Sequence, residues 1–229
     1  MRSALKDFLT LFFFDQCRGC NGSLIKGEDV LCTKCLSELP RTNYHFHKTN
    51  PVTEKMLGRL QITNGFAFLK FSKKGIVQNL LHNLKYYNKP EIGEKLGIVF
   101  GNELINTGYS NQFDLIVPIP LHRTRQRHRG YNQSTMFANG LSKSMGIAFD
   151  EKAMERILAS STQTKKSKLE RWENVKNIFR INKREQISQK RILLVDDIIT
   201  TGSTLEACGQ HLLKNGCSEL SVACIALSQ

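Results

Sequence analysis

The chain has 229 residues, 40% of them hydrophobic and 23% charged, with 33 Lys and Arg against 20 Asp and Glu for a formal net charge of +13. That is enough apolar material for one sizeable core with a small accessory module, and it excludes a disordered or collagen-like chain. The positive surplus points to a polyanionic partner such as nucleic acid, polyphosphate or an acidic membrane surface. Most of it is local, since residues 119–191 carry 17 basic and 6 acidic side chains.

In chain order, Arg2 and Lys6 precede an apolar run over 8–14, but Asp7 interrupts it and Asp15-Gln16-Cys17 stand where a cleavable signal carries small residues. The segment reads as an amphipathic helix. No run reaches the ~18 apolar residues that a membrane span requires, so the chain reads as cytoplasmic. Cys17-x2-Cys20 and Cys32-x2-Cys35 come next. Each C-x-x-C turn directs two thiolates at one point, and two turns on a short hairpin complete a tetrahedral sulfur site for structural Zn²⁺, with Gly19 and Gly22 supplying turn freedom. Two disulfides or four plain thiols are the alternatives, and a reducing compartment disfavours the disulfides. Cys208, Cys217 and Cys224 lie on apolar faces and read as core.

His45 and His47 alternate with Tyr44 and Phe46 as on a strand, which favours solvent-facing positions over extra metal ligands. A zinc-ribbon-like module over 1–42 and a larger domain over 43–229 are expected, with a polar linker through Asn50-Pro51. Inside the domain, residues 65–71 alternate as a strand, and Ile76, Leu80, Leu81 and Leu84 recur at helical spacing. A helix over 91–105 buries Ile92, Leu96, Val99, Phe100 and Leu104. A β-branched strand over 113–118, a basic loop and a helix over 132–145 follow. A strand over 191–195, a helix over 203–214 closed by Gly216 and a last strand over 220–226 repeat the pattern. Strand, crossover helix, strand is the signature of an α/β fold with a parallel sheet flanked by helices.

Polar chemistry begins where the apolar strand ends. Asp196-Asp197-Ile198-Ile199-Thr200-Thr201-Gly202-Ser203-Thr204 leads into a helix whose free N–H groups and positive end suit a phosphate. Hydroxyls at 200, 201, 203 and 204 add donors, while Asp196 and Asp197 stand ready to accept from sugar hydroxyls. The rival reading is a capped helix behind two solvated aspartates. Neither a P-loop lysine nor G-x-G-x-x-G occurs, so nucleoside triphosphates and dinucleotides are poor rival ligands.

Residues 192–204 resemble the phosphoribosyl-pyrophosphate (PRPP) motif of type I phosphoribosyltransferases. The resemblance implies that Asp196 and Asp197 contact the ribose 2- and 3-hydroxyls, and that Thr200, Thr201, Gly202, Ser203 and Thr204 wrap the 5-phosphate. More of the chain is similar to the ComF family. Val117-Pro118-Ile119-Pro120-Leu121-His122-Arg123-x-Arg125-x3-Arg129-Gly130-Tyr131-Asn132-Gln133-Ser134 looks like that family's signature, as do Leu84-Lys85-Tyr86 and Arg156 with Thr162-Gln163, Lys168, Arg171, Asn174, Val175 and Phe179. The stretch Thr164-Lys165-Lys166-Ser167 is more basic than the family pattern. ComF proteins are bacterial, carry a zinc finger on a phosphoribosyltransferase fold and are associated with DNA uptake in natural transformation; some relatives are linked to gluconate uptake. The resemblance therefore implies PRPP, single-stranded DNA and other DNA-uptake proteins as partners, with Mg²⁺ accompanying PRPP.

Arg123, Arg125, Arg127 and Arg129 stand two apart on the basic loop. The fold implied by the resemblance uses this loop to embrace pyrophosphate, which assigns Arg123 and Arg125 to that anion. For Arg125, Arg127 and Arg129 a solvated charge run is the alternative, and for Arg129 also an internal acidic partner. Residues 151–191, with 12 basic and 5 acidic side chains, would form a hood that closes over PRPP and excludes water. Within it Trp172 sits among Lys165, Lys166, Lys168 and Arg171, a combination that stacks a nucleobase while holding phosphates; an indole packed on the core is the rival. Arg123, Arg125, Arg127 and the hood residues are thus the candidate DNA contacts. Two functions stand: a PRPP-binding protein that acts on incoming single-stranded DNA, favoured by charge, and a Mg²⁺-dependent phosphoribosyltransferase with an unidentified acceptor, favoured by the intact Asp-Asp pair.

Overall fold

The computed structural model describes residues 15–157 and 178–228. The helix expected at the N-terminus and the hood residues Lys165, Lys166, Lys168, Arg171 and Trp172 lie outside them. Four strands, β1 (Gly65–Phe71), β2 (Leu115–Pro118), β5 (Arg191–Ile199) and β6 (Glu219–Ser228), form one sheet of order β1-β6-β5-β2. Every pair is parallel, with Gly65 beside Val222, Leu194 beside Val222 and Leu115 beside Ile192. Helices cover both faces, so β6 is buried from Leu220 to Leu227 and reads as a nearly continuous apolar run rather than an alternating one. Phe68, Leu84, Phe100 and Phe137 pack in one core cluster, and Met56, Val117, Leu194 and Leu212 in the other. At the end of the sheet away from the aspartates, Arg191 fixes the β2–β5 register. Its guanidinium holds Asp114 through Nη2 at 2.7 Å and Nε at 3.2 Å while its backbone N–H donates to the same carboxylate at 2.8 Å. Cys208, Cys217 and Cys224 are buried, as expected of core thiols.

Helix α3 (Ile76–Tyr86) buries Val77, Leu80, Leu81 and Leu84, and α4 (Glu91–Asn106) buries Ile92, Leu96, Phe100 and Leu104. Helix α6 (Gln133–Met145) lies against α4 along a seam of glycines. A Cβ on Gly97 would stand 2.9 Å from Gly140 Cα, and one on Gly140 would meet Gly97 Cα at 2.8 Å and overlap the Glu94 carbonyl. These neighbours are backbone and cannot swing aside. Gly140→Ala should therefore overpack the seam and cost about 1–3 kcal/mol. For a domain of this size that is a drop of about 2–4 °C in unfolding midpoint per kcal/mol. Thermal melts of the two chains decide it, and equal midpoints would show that the helices separate freely.

The cysteine module is not set apart from this core. Cys17, Leu31, Cys35 and Leu39 belong to the same apolar cluster as Phe68 and Leu80, and Asn83 donates to the Arg18 carbonyl at 3.2 Å. Helix α1 (Thr33–Ser37) starts at Cys32. Two expectations for the following stretch need correction. Tyr44–Phe46 is a 3-10 turn, not a strand, because Asn43 takes a left-handed conformation (φ 59°) just before it. His45 is consequently buried against Phe46 and Phe100, while His47 is exposed. Asn50-Pro51 is no linker either. Buried Asn50 caps α2 (Pro51–Met56) by accepting from Val52 and Thr53, and donates to the carbonyls of His47 and Gly65. No helix among the described residues is long and apolar enough to cross a membrane.

Candidate ligand cleft and metal centre

Strand β5 runs past the end of its neighbour: Pro118, the last residue of β2, faces Val195, whereas β5 stays paired with β6 through Ile199 and Leu227. The aspartates therefore sit within a strand, not after it as the apolar pattern suggested, on the flank that β2 has vacated. The gap is a cleft of about 220 Å³ lined by Ile119, Pro120 and Leu121, by Lys85, Arg125, Arg129 and Arg156, by Gln133 and Ser134, and by Asp196, Asp197 and Thr204. Its floor is acidic and its rim basic.

Each polar group on the floor is held by another. Asp197 pairs with Lys85 Nζ at 2.9 Å. Asp196 accepts from Ser134 Oγ at 3.1 Å and from the Asp197 N–H at 2.8 Å. Removal from water and the neighbouring Asp197 charge push the Asp196 carboxyl up to about 7. Ser134 is delivered by the start of α6, where Asn132 caps the helix and ties it to the Ile119 carbonyl at 2.8 Å. Next to it Gln133, only 1% exposed, accepts from Arg129 at 2.9 Å through its carbonyl oxygen and leaves its buried Nε2 without a partner. That amide is a donor free to meet a water or a bound oxygen at the wall of the cleft.

Beyond Asp196 the cleft runs into a hollow of about 30 Å³ formed by residues 198–205. Here Thr200, Thr201, Ser203 and Thr204 are exposed, and Gly202 takes a left-handed turn (φ 77°) before α7 (Ser203–Lys214). The left-handed backbone is what calls for glycine at 202, since a side chain there would meet only the flexible tip of Met56. Two cations, one in the last turn of α2 and one just after it, grip this turn. Lys55 Nζ donates to the Thr200 carbonyl at 2.7 Å and Arg59 to the Thr201 carbonyl at 2.6 Å, with Glu206 holding Arg59 in place at 2.6 Å. Neither Lys55 nor Arg59 is among the sequence-predicted site residues.

The basic loop is in fact a helix, α5 (Arg123–Arg129), capped by His122 and stopped by left-handed Gly130. Helical geometry separates its arginines. Arg125 and Arg129 line the cleft, Arg123 turns to Glu155 at 3.2 Å, and Arg127 is exposed outside the cleft. Arg129 takes Gln133 and the ring of Tyr86 as partners in place of an acidic residue. Short antiparallel strands β3 (Met154–Arg156) and β4 (Phe179–Ile181), both inside the 151–191 stretch expected to form the hood, bring Arg156 to the rim of the cleft.

The four module cysteines meet. The Sγ atoms of Cys17, Cys20, Cys32 and Cys35 lie within 4.8 Å of one another, with Cys20 and Cys32 at 3.9 Å. Zn–S bonds of about 2.3 Å require tetrahedral sulfur separations of about 3.8 Å, so the cluster fits a structural Zn²⁺. Burial works against the Cys17 thiolate, but N–H donors of Cys32, Cys20 and Gly19 prevail and bring it down to about 6, ready to bind metal.

Residues 131–228 match the phosphoribosyl transferase domain. The chain is 34% identical over 149 residues to the DNA utilization protein YhgH of Salmonella typhi, an alignment covering 64% of this chain and 65% of that protein. It thus spans just under two thirds of the length of that relative. Over 231 residues it is 28% identical to competence protein F of Haemophilus influenzae, covering 92% and 96% of the two chains. Competence protein ComFC of Bacillus subtilis is 24% identical over 205 residues, covering 84% and 82%.

Proposed function

We propose, from the similarity of this chain to competence proteins F and ComFC and its match to the phosphoribosyl transferase domain, that it binds PRPP in the cleft and single-stranded DNA on the basic surface beside it. The observation that carries the reading is the polarity of the cleft and of the hollow beside it, which share Asp196, Ile198 and Thr204 in their walls. Asp196 and Asp197 offer acceptors to ribose hydroxyls, the turn at 200–204 offers N–H and hydroxyl donors to the 5-phosphate, and Arg125 and Arg129 line the same cleft and suit a pyrophosphate, with Lys85 held on Asp197. Among the described residues the four cysteines are the only cluster of three or more groups able to hold a metal. Mg²⁺ would accompany the pyrophosphate and neutralise part of its charge, with Asp196 and Asp197 as the carboxylates of the cleft nearest to hand. The names of the relatives, competence protein and DNA utilization protein, support a role with DNA.

Calorimetry with PRPP and Mg²⁺ tests the first half, and oligonucleotide titration at several salt concentrations tests the second. Single-strand affinity should fall with salt at a slope of about −0.7 per phosphate neutralised. The helical placement of the arginines separates the two ligands. Arg127→Glu should flatten the salt slope and leave PRPP binding as it was, whereas Arg125→Glu should weaken both. No heat with PRPP, or salt-independent DNA binding, removes the corresponding half. Pyrophosphate release with a candidate acceptor would move the reading to a transferase, which the paired carboxylates and phosphate turn also suit.

A further inference from the structure

We propose that Tyr86 and Tyr87, with His82 between them and Arg129 beside them, form a stacking platform for the bases of single-stranded DNA at the mouth of the cleft. The proposal deepens the DNA half of the reading above and rests on it. Tyr86 closes α3 and Tyr87 follows it; they are 65% and 61% exposed, although the same helix buries Leu81 and Leu84. The His82 ring lies 5.0 Å from that of Tyr86 and 5.4 Å from that of Tyr87. The Arg129 guanidinium stands 5.6 Å from the Tyr86 ring centre. The contacts among three exposed rings and Arg129 contribute little beside what covering that aromatic surface would add.

What would cover them follows from their neighbours. Arg129 belongs both to this cluster and to the wall of the cleft, and Lys85, one residue before Tyr86, pairs with Asp197 on the cleft floor. Helix α5 contributes Arg123, Arg125, Arg127 and Arg129 with no acidic residue. An occupant must therefore be flat and apolar on its faces yet carry negative charge at regular intervals along its length. A single strand of nucleic acid has both properties, its bases stacking on the rings while its phosphates meet the guanidiniums. A duplex does not qualify, since its bases are already stacked and paired. A strand seated here would run from the platform along Arg129 to the cleft, which connects the DNA and PRPP sites physically.

The test compares a short oligo-dA strand with an abasic strand of the same length, bound by the full chain and followed by fluorescence anisotropy. Tyr86→Ala with Tyr87→Ala should weaken oligo-dA binding roughly 5- to 150-fold for each stacked base lost. The abasic strand should be bound as by the parent and the salt slope should be unchanged, because the phosphate contacts remain. Tyr86→Phe with Tyr87→Phe keeps the rings and should keep the affinity; a parental unfolding midpoint for both pairs confirms an intact fold. If the alanine pair binds oligo-dA as the parent does, or loses the abasic strand equally, the platform is overturned while DNA binding stands. If the parent itself binds no strand, the DNA reading fails and takes the platform with it.

Discussion

Removing the metal from the cysteine cluster, or replacing Cys17 by serine, should unfold the module and destabilise the larger domain with it. The reason lies in the shared core: Cys17, Leu31, Cys35 and Leu39 pack in one cluster with Phe68 and Leu80, and a side chain at Gly19 would reach Ile76 of α3 at 2.9 Å. Loss of the metal therefore exposes a face of α3 as well as the knuckles. Structural zinc has an apparent binding free energy of about 10–16 kcal/mol in small peptides, enough to dominate the stability of a segment this short. Thermal unfolding with and without a chelator, together with metal analysis of protein prepared under reducing conditions, measures the effect. A metal content near zero in a fully folded chain would refute the assignment. A midpoint for the domain that ignores chelation would show the module to be an appendage.

The second large effect concerns protons. Affinity for PRPP should rise between pH 6 and pH 8 and level off above, because the Asp196 carboxyl is held at about 7 and accepts from a ribose hydroxyl best when ionised. On the acid side the gain should approach about tenfold per pH unit. Stability without ligand should move the opposite way. The folded chain keeps a proton that the unfolded chain releases at the ordinary carboxylate pKa of about 4, so stability is lost as pH rises from there to about 7, by on the order of 1.4 kcal/mol per unit. Asp196→Asn should remove Asp196's share of both slopes, leaving in the affinity only the slope from PRPP's own phosphates, which titrate at about pH 6, and it should bind PRPP more weakly at pH 8 and melt higher than the parent there without ligand. Calorimetry and melting curves across that range check the two signs separately. A parent affinity independent of pH would mean that Asp196 does not contact the sugar.

The parts of this site that lie together in the chain are legible in its sequence. Asp196 through Thr204 form one unbroken segment that runs from the end of an apolar strand into an amphipathic helix, and the structure keeps them along the cleft and the hollow beside it. The partners that hold the segment are another matter. Lys55 and Arg59 reach the turn from the opposite end of the domain, and no local pattern distinguishes them from other surface cations. Gln133 and Ser134 stand in a recognisable stretch, but their roles depend on α6 pointing at Asp196, which the glycine seam with α4 determines. Helix α5 escapes periodicity because Arg-Thr-Arg-Gln-Arg-His-Arg has no apolar residue to recur; its cap at His122 and its stop at Gly130 define it. His45 and Asn50 show the same limit for burial. Both are polar residues whose interior positions come from hydrogen bonds and ring contacts with distant segments.

The order of strands has a consequence for how the chain reaches this state. Strand β6 is the inner partner of both β1 and β5, yet it follows both in sequence, and Gly65 must await Val222 for its neighbour. During synthesis β1 and its apolar residues Phe66, Phe68 and Leu69 emerge long before the strand that completes their hydrogen bonding. Long-range parallel pairing of this kind is slow and leaves a strand edge open to other chains. The antiparallel bridge of Arg41 to Leu69, with Thr42 donating to the Phe68 carbonyl at 3.0 Å, comes from residues already synthesised. Residues 40–42 thus cover the outer edge of β1 in the finished fold and can do so before β6 exists, leaving only the edge that faces β6 open.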